Sequence, residues 1–102
     1  MVGPIALEAL TSVVMDRVFL AATGVDAAHG ATVIEPEEAA VFRAMARPAK
    51  QVIVVADSSK IGLVSPAVIC PPARIDLLIT DNGISDEARA ALEKSGVRMC
   101  IV

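Results

Sequence analysis

Aromatic side chains are almost absent from this 102-residue sequence, which has no tryptophan, no tyrosine and two phenylalanines, Phe19 and Phe42. Bases and sugar rings are commonly gripped by stacking on aromatic faces, so a ligand of this chain has to be held by polar side chains and backbone. Cysteine is scarce as well. Cys70 and Cys100 lie far apart, and His29 is the single histidine, so neither a zinc constellation nor a disulfide framework is suggested. Both thiols read as reduced, small core residues, and no metal and no other cofactor is expected. The longest uninterrupted apolar runs are about five residues, against the roughly 20 that a membrane-spanning helix needs. The first ten residues have no basic n-region, and Glu8 interrupts their one apolar stretch, so no secretory signal is read there. No membrane partner and a cytoplasmic location are the resulting expectations. Basic charge is not in excess either: nine Lys and Arg stand against twelve Asp and Glu, for a net charge of −3. They are scattered, with no stripe to meet nucleic-acid phosphates, and this chain alone is expected to bind no nucleic acid.

What the sequence has in plenty is small and branched apolar residues. Hydrophobic residues make up 55% and the mean hydropathy is +0.65, where a soluble domain usually carries about 45 to 50% apolar residues with glycine included. Part of that surface is expected to meet another surface, which points to a homo-oligomer. The length allows one domain, burying roughly 65% of what the unfolded chain exposes.

The stretch that organises the rest is Val52-Ile53-Val54-Val55-Ala56-Asp57-Ser58-Ser59-Lys60. A β-branched run without alternation reads as a parallel strand covered on both faces, and ligands of open parallel sheets sit beyond the carboxyl ends of the strands. Asp57, Ser58, Ser59 and Lys60 fall at that end. The same pattern of apolar run followed by polar loop occurs at Val18–Ala22, before a loop over Thr23-Gly24-Val25-Asp26 that continues through His29-Gly30-Ala31-Thr32. It occurs again at Asp76 to Asp81, before the turn pair Asn82-Gly83. Pro4 starts a short helix through Leu10. Glu35-Pro36-Glu37-Glu38 opens an amphipathic helix carrying Val41, Phe42 and Met45 that Pro48 should end. Pro66 to Pro72 reads as one irregular turn, and Ser85 or Asp86 caps a helix over Glu87–Lys94 with Gly96 at its left-handed C′ position. Val97–Val102 is a last strand. Four strands alternating with helices make a mostly parallel α/β sheet the economical fold, although the chain opens without the usual first strand.

Val2-Gly3-Pro4, Asp16 to Val25, Glu38 to Met45, Ala56-Asp57-Ser58-Ser59-Lys60, Ile75-Asp76 and Ile79-Thr80-Asp81, in this order and spacing, resemble the C-terminal sensor domain of DeoR-type bacterial transcriptional regulators. The resemblance covers nearly the whole chain. It implies a three-layer Rossmann-like α/β fold, similar to ribose-5-phosphate isomerase and the CoA-transferases. It also implies a non-catalytic domain that binds a phosphorylated sugar or sugar metabolite and controls a helix-turn-helix domain preceding it. By the same resemblance residues 1–102 are a partial sensor domain, without the DNA-binding domain and without the glycine-rich loop that members place ahead of the Gly-Pro matched by Gly3-Pro4.

The alternative implied by the fold family is a sugar-phosphate isomerase. Its catalytic Asp-Gly-Ala-Asp loop matches Leu20, Ala21, Ala22 and Thr23 here, and its catalytic lysine falls on Ala39, while the substrate-binding Asp-x-Ser-Lys is kept as Asp57 to Lys60. Binding residues stay and acid–base residues are gone, and proton transfer between carbons needs the latter. A third possibility is a domain that only oligomerises. No catalytic residue is therefore expected. The candidate ligand-binding set is Lys60 with Asp57, Ser58 and Ser59, joined by Thr23, Gly24, Asp26, Gly30 and Thr32. An ammonium and two hydroxyls suit a phosphate, to which backbone N–H groups could add. Each has a plainer role too: Asp57 as a turn cap, the glycines and Asp26 as turn formers, Lys60 as an exposed loop lysine.

Overall fold

The computed structural model describes residues 15–102. The short helix read over residues 4–10 lies outside the described residues. The chain runs β1 (Met15–Ala21), β2 (Gly24–Asp26), β3 (Gly30–Val33), α1 (Pro36–Ala46), β4 (Ala49–Val55), β5 (Ala67–Cys70), β6 (Leu77–Thr80), α2 (Asp86–Lys94) and β7 (Met99–Ile101). Strands β1, β4, β6 and β7 form a parallel sheet in that spatial order, and β2, β3 and β5 form a small antiparallel sheet. The fold is α/β with a mostly parallel main sheet, in a layering compatible with the Rossmann-like class.

The helices start and stop where their sequences dictate. Pro36 occupies the first turn of α1, where its missing N–H costs nothing, and Glu37 and Glu38 complement the helix dipole. The helix ends at Ala46, before Pro48. In α2 the Ser85 hydroxyl accepts the Ala88 N–H at 3.1 Å, so Ser85 is the cap, and Gly96 follows at φ +90°. Arg74 ties the end of α1 to the sheet: its guanidinium donates to the carbonyls of Ala46 at 3.1 Å and Ala49 at 2.5 Å and to Asp76 Oδ2 at 2.8 Å. Asp76 Oδ2 in turn accepts the Val52 N–H at 2.6 Å.

Two segments differ from the sequence reading. Thr23 to Thr32 is not a loop but holds the hairpin β2–β3. The Asp26 carboxylate, accepting from the N–H groups of Ala28 and His29, makes its turn, and Gly30 leaves it at φ +83°. Pro66 to Pro72 is not an irregular turn, because Ala67–Cys70 pairs with β3 as β5. The flanking prolines sit outside the ladder, where no donor is required of them. The last strand is also shorter than expected, Met99–Ile101.

One core holds the molecule together. Val18, Leu20, Val52, Val54 and Leu78 from one face of the main sheet pack with Val25, Ala31, Val33, Ile69, Leu92 and Val97. Among the described residues the opposite face is not covered as the unbroken run Val52–Val55 suggested. Ile53 is 7% exposed, but Val55 is 41% exposed and Phe19, the partner of Ile53 on β1, is 61% exposed. The reason lies in the winding. The order β1-β4-β6-β7 advances in one direction, and parallel crossovers are right-handed, so every connection falls on the same face. Cys100 is likewise exposed on β7, whereas Cys70 is buried in the core as expected.

Candidate functional site

The carboxyl ends of β1, β4 and β6 lie side by side, since the three strands are parallel and adjacent. β1 and β4 each continue the ladder by one bond before turning away: Ala22 N–H to Val55 O at 3.2 Å, and Ala56 N–H to Ile79 O at 3.1 Å. Three polar segments therefore share one rim: Thr23-Gly24 after β1, Asp57-Ser58-Ser59-Lys60 after β4, and Asp81-Asn82-Gly83 after β6.

The middle segment is one turn of 3₁₀ helix over Ser58–Lys60, capped by Asp57. Asp57 Oδ1 accepts the Ser59 N–H at 2.9 Å and also the Ser59 hydroxyl. The Ser59 hydroxyl, the Ser59 N–H and the charge of Lys60 hold the Asp57 carboxyl below its ordinary value, against the opposing effects of desolvation and, less, of Asp81. Asp81 reaches across from β6: its Oδ2 accepts the Ser58 N–H at 2.9 Å and its Oδ1 the Gly83 N–H at 2.8 Å. The Ser58 amide, then the Ser58 hydroxyl and the Gly83 amide, hold the Asp81 carboxyl below its ordinary value too. Both carboxylates are thus ionised near neutral pH, and both serve the loop. On the far side the loop is pinned to the hairpin, where Gly62 N–H donates to Val25 O at 2.7 Å and Ile61 bridges Val25. Lys60 is half-buried in this frame and forms no ion pair among the described residues.

The arrangement has a chemical consequence. The amides and the hydroxyls of Ser58 and Ser59, donors that an anion would want, are already engaged by the carboxylates of Asp81 and Asp57, so an anionic ligand here would be met by the Lys60 ammonium. Asp57 and Asp81 offer lone pairs to the hydroxyl protons of the same ligand.

The other residues singled out in the sequence are placed differently. Thr23 lies on the rim, its N–H on Thr32 O at 3.0 Å and its hydroxyl 2.9 Å from that of Ser65. Gly24 is there for space: a Cβ would stand 2.5 Å from Leu63 O and 2.7 Å from Thr32 Oγ1. Thr32 is fully buried, its hydroxyl donating to Gly24 O and accepting the Ser65 N–H. Asp26 is occupied by its turn and by the His29 ring at 2.7 Å, and that ring is the largest cause of its lowered pKa. Gly30 packs against the carbonyl of Cys70. The structure thus brings Asp57, Ser58, Ser59, Lys60, Thr23 and Gly24 to one rim and makes Asp26, Gly30 and Thr32 parts of the hairpin that supports it. Asp81 and Gly83 join the rim as residues the sequence reading left out. Their signal was available in the apolar run ending in Thr-Asp, but Asn82-Gly83 read first as turn chemistry.

Among the described residues no group of three or more His, Cys, Asp or Glu is placed to hold a metal ion. No helix among them is long and apolar enough to cross a membrane.

Comparison with known proteins places the chain in a family. Residues 1–82 match the family model of the DeoR C-terminal sensor domain. The chain is similar to the HTH-type transcriptional repressor GlcR of Bacillus subtilis strain 168, with 34% identity over 97% of this chain and 38% of the relative. It is also similar to the HTH-type transcriptional regulator GlpR of Haloferax volcanii, with 33% identity over 95% of this chain and 38% of the relative. The HTH-type transcriptional regulator GolR of Listeria innocua is 27% identical over 93% of this chain and 37% of its own length. The chain therefore spans under two-fifths of the length of these curated relatives. On the family match, this chain belongs to the DeoR C-terminal sensor domain family.

Proposed function

We propose that residues 1–102 are part of a cytoplasmic effector-sensing domain that binds a phosphorylated sugar or sugar-derived metabolite at the rim formed by Asp57–Lys60, and that it does so without catalysis. DNA binding belongs to a separate domain of the regulator. The observation that carries this reading is Lys60: a half-buried ammonium at the end of a central parallel strand, held in a loop fixed on both sides, with no ion pair among the described residues. A charge-assisted hydrogen bond from such an ammonium to a phosphate is worth roughly 1.5 to 3 kcal/mol. The neighbouring Asp57 and Asp81 suit sugar hydroxyls.

The isomerase alternative fares poorly on the same geometry. A base that moves a proton between carbons works best with a pKa near the working pH, and the rim carboxyls are held below their ordinary values by the N–H and O–H groups around them.

The test is calorimetric titration of the full protein carrying this sequence with pentose and hexose phosphates and with the same sugars unphosphorylated, followed by a coupled turnover assay. The reading expects binding that requires the phosphate and no turnover. Turnover, or binding indifferent to the phosphate, would overturn it.

We also infer self-association through the open face of the main sheet. Phe19 and Val55 stand exposed there, and a groove of about 350 Å³ with Phe19, Ile53, Leu77 and Ile79 on its floor lies beside Arg17 and Arg98. Contiguous apolar surface of this kind marks contact sites, and a symmetric dimer is the commonest form they take. Sedimentation that gives a monomer at every micromolar concentration would count against it.

A further inference from the structure

The rim's second wall is the turn after β6, and its role in effector binding is not implied by the family match. Asp81 joins this turn to the Lys60 loop, accepting the Ser58 N–H with one oxygen and the Gly83 N–H of its own turn with the other. Gly83 closes the contact. A Cβ built on it would lie 2.5 Å from Ser58 Oγ, 3.2 Å from Ser58 Cβ and 2.9 Å from Asp81 Oδ1. Gly83 is not among the glycines with positive φ, so any residue could adopt its backbone. A Cβ at this place would have to push the Ser58 hydroxyl and the Asp81 carboxylate aside, which would loosen the contact.

We propose that Asp81 and Gly83 are positioning residues of the effector site: the carboxylate clamps the first turn of the Ser58–Lys60 loop to the end of β6, and the glycine lets the two loops close. This rests on the reading of Asp57–Lys60 as the place where the effector's anion binds. The clamp also excludes one binding mode. An anion could use the Ser58 amide only by expelling Asp81, because that N–H is already committed. Recognition therefore runs through Lys60, whose placement depends on the clamp, and an effector of this site carries its anion on one side and hydroxyl donors on the side facing Asp57 and Asp81. The charged groups facing Asp81 are Asp57 and, through it, Lys60.

The experiment follows backbone amide signals of the full protein by NMR, in wild type, Asp81→Asn, Asp81→Ala, Gly83→Ala and Lys60→Ala, with inorganic phosphate as the probe. In wild type the Ser58 and Gly83 amides should titrate together, with one midpoint below the ordinary aspartate value of about 3.9. That shared step should vanish in Asp81→Asn, while the step at Ser59 from Asp57 remains. Phosphate affinity read at Lys60 should fall about tenfold in Asp81→Ala and Gly83→Ala. It should largely return in Asp81→Asn, whose side-chain oxygen still accepts the Ser58 N–H. The recovery would show that the acceptor at this position, and not its charge, places the loop. Independent titration of Ser58 and Gly83, or phosphate affinity in Asp81→Ala equal to or tighter than wild type while Lys60→Ala weakens it, would overturn the proposal alone. Phosphate shifts indifferent to Lys60→Ala would overturn the effector-site reading and the proposal with it. Gly83→Ala keeps the test decisive if Asp81→Ala does not fold.

Discussion

The two faces of the main sheet are made of similar residues and have opposite fates. On one face Leu20, Val52, Val54 and Leu78 are 0 to 1% exposed beneath α1, α2 and the hairpin sheet. On the other, Phe19 is 61% and Val55 41% exposed. Composition does not separate the faces; the direction of winding does. Because the strands advance one way, the right-handed rule sends all connections to one side, and equally apolar residues on the other side are left as surface. The lesson is that an unbroken β-branched run shows a strand able to be covered on both faces, while among the described residues only one face of this sheet is covered.

The largest effect expected from that contrast is at Leu78. Leu78→Ala removes a fully buried side chain from the covered face and should cost about 2 to 5 kcal/mol of folding stability, read from the denaturant midpoint at unchanged slope. Phe19→Ser, on the open face, should alter monomer stability by no more than about 0.5 kcal/mol yet weaken self-association seen in sedimentation. If the two substitutions destabilised equally, the open face would have to be a second core.

A smaller effect sits next to the rim. Thr80 is 2% exposed, and its hydroxyl has no hydrogen-bond partner among the described residues. Leaving a hydroxyl buried and unpaired costs roughly 1 to 3 kcal/mol in protein hosts. Thr80→Val, which keeps the shape, should therefore stabilise the fold by up to about 1 kcal/mol. Destabilisation on thermal unfolding would mean that the hydroxyl has a partner in solution.

Acid should loosen the rim first. Asp26, Asp57 and Asp81 all have pKa values lowered by hydrogen bonds they accept in the fold, from His29, Ser59 and Ser58 respectively. Their stabilisation is present above the unfolded aspartate value of about 3.9 and is lost as pH falls through the lower folded values. Asp81→Asn should flatten that acid limb in a pH series of unfolding midpoints. An unchanged limb would contradict the Asp81–Ser58 bond.

Much of this was legible from the residues, and the failures have physical causes. Val18–Ala22, Val52–Val55 and Leu77–Thr80 announce themselves as strands because β-branched and leucine runs end abruptly in polar residues. Ser85 and Gly96 mark the ends of α2 because capping and left-handed geometry are local. The β2–β3 hairpin was hidden because Thr-Gly and Asp with His-Gly are turn chemistry and ligand chemistry at once, and three- and four-residue strands carry no period. Strand β5 was hidden because proline on both sides masks a pairing that only β3 supplies. At the rim the residues of β4 were visible, since they follow directly in sequence. Asp81 and Gly83 were read only as the end of a strand and a turn, because their part in the rim comes from a contact across 23 residues of chain.

The central claim is that Lys60 holds the effector's anion. Its most direct test is the affinity of the full protein for a phosphorylated sugar, wild type against Lys60→Ala, by calorimetric titration with folding checked on the same samples. Loss of one charge-assisted hydrogen bond, at about 1.4 kcal/mol per factor of ten, predicts a weakening of roughly 10 to 150-fold with the fold intact. Equal affinity in the two proteins would contradict the account and leave Lys60 a loop lysine with no part in sensing.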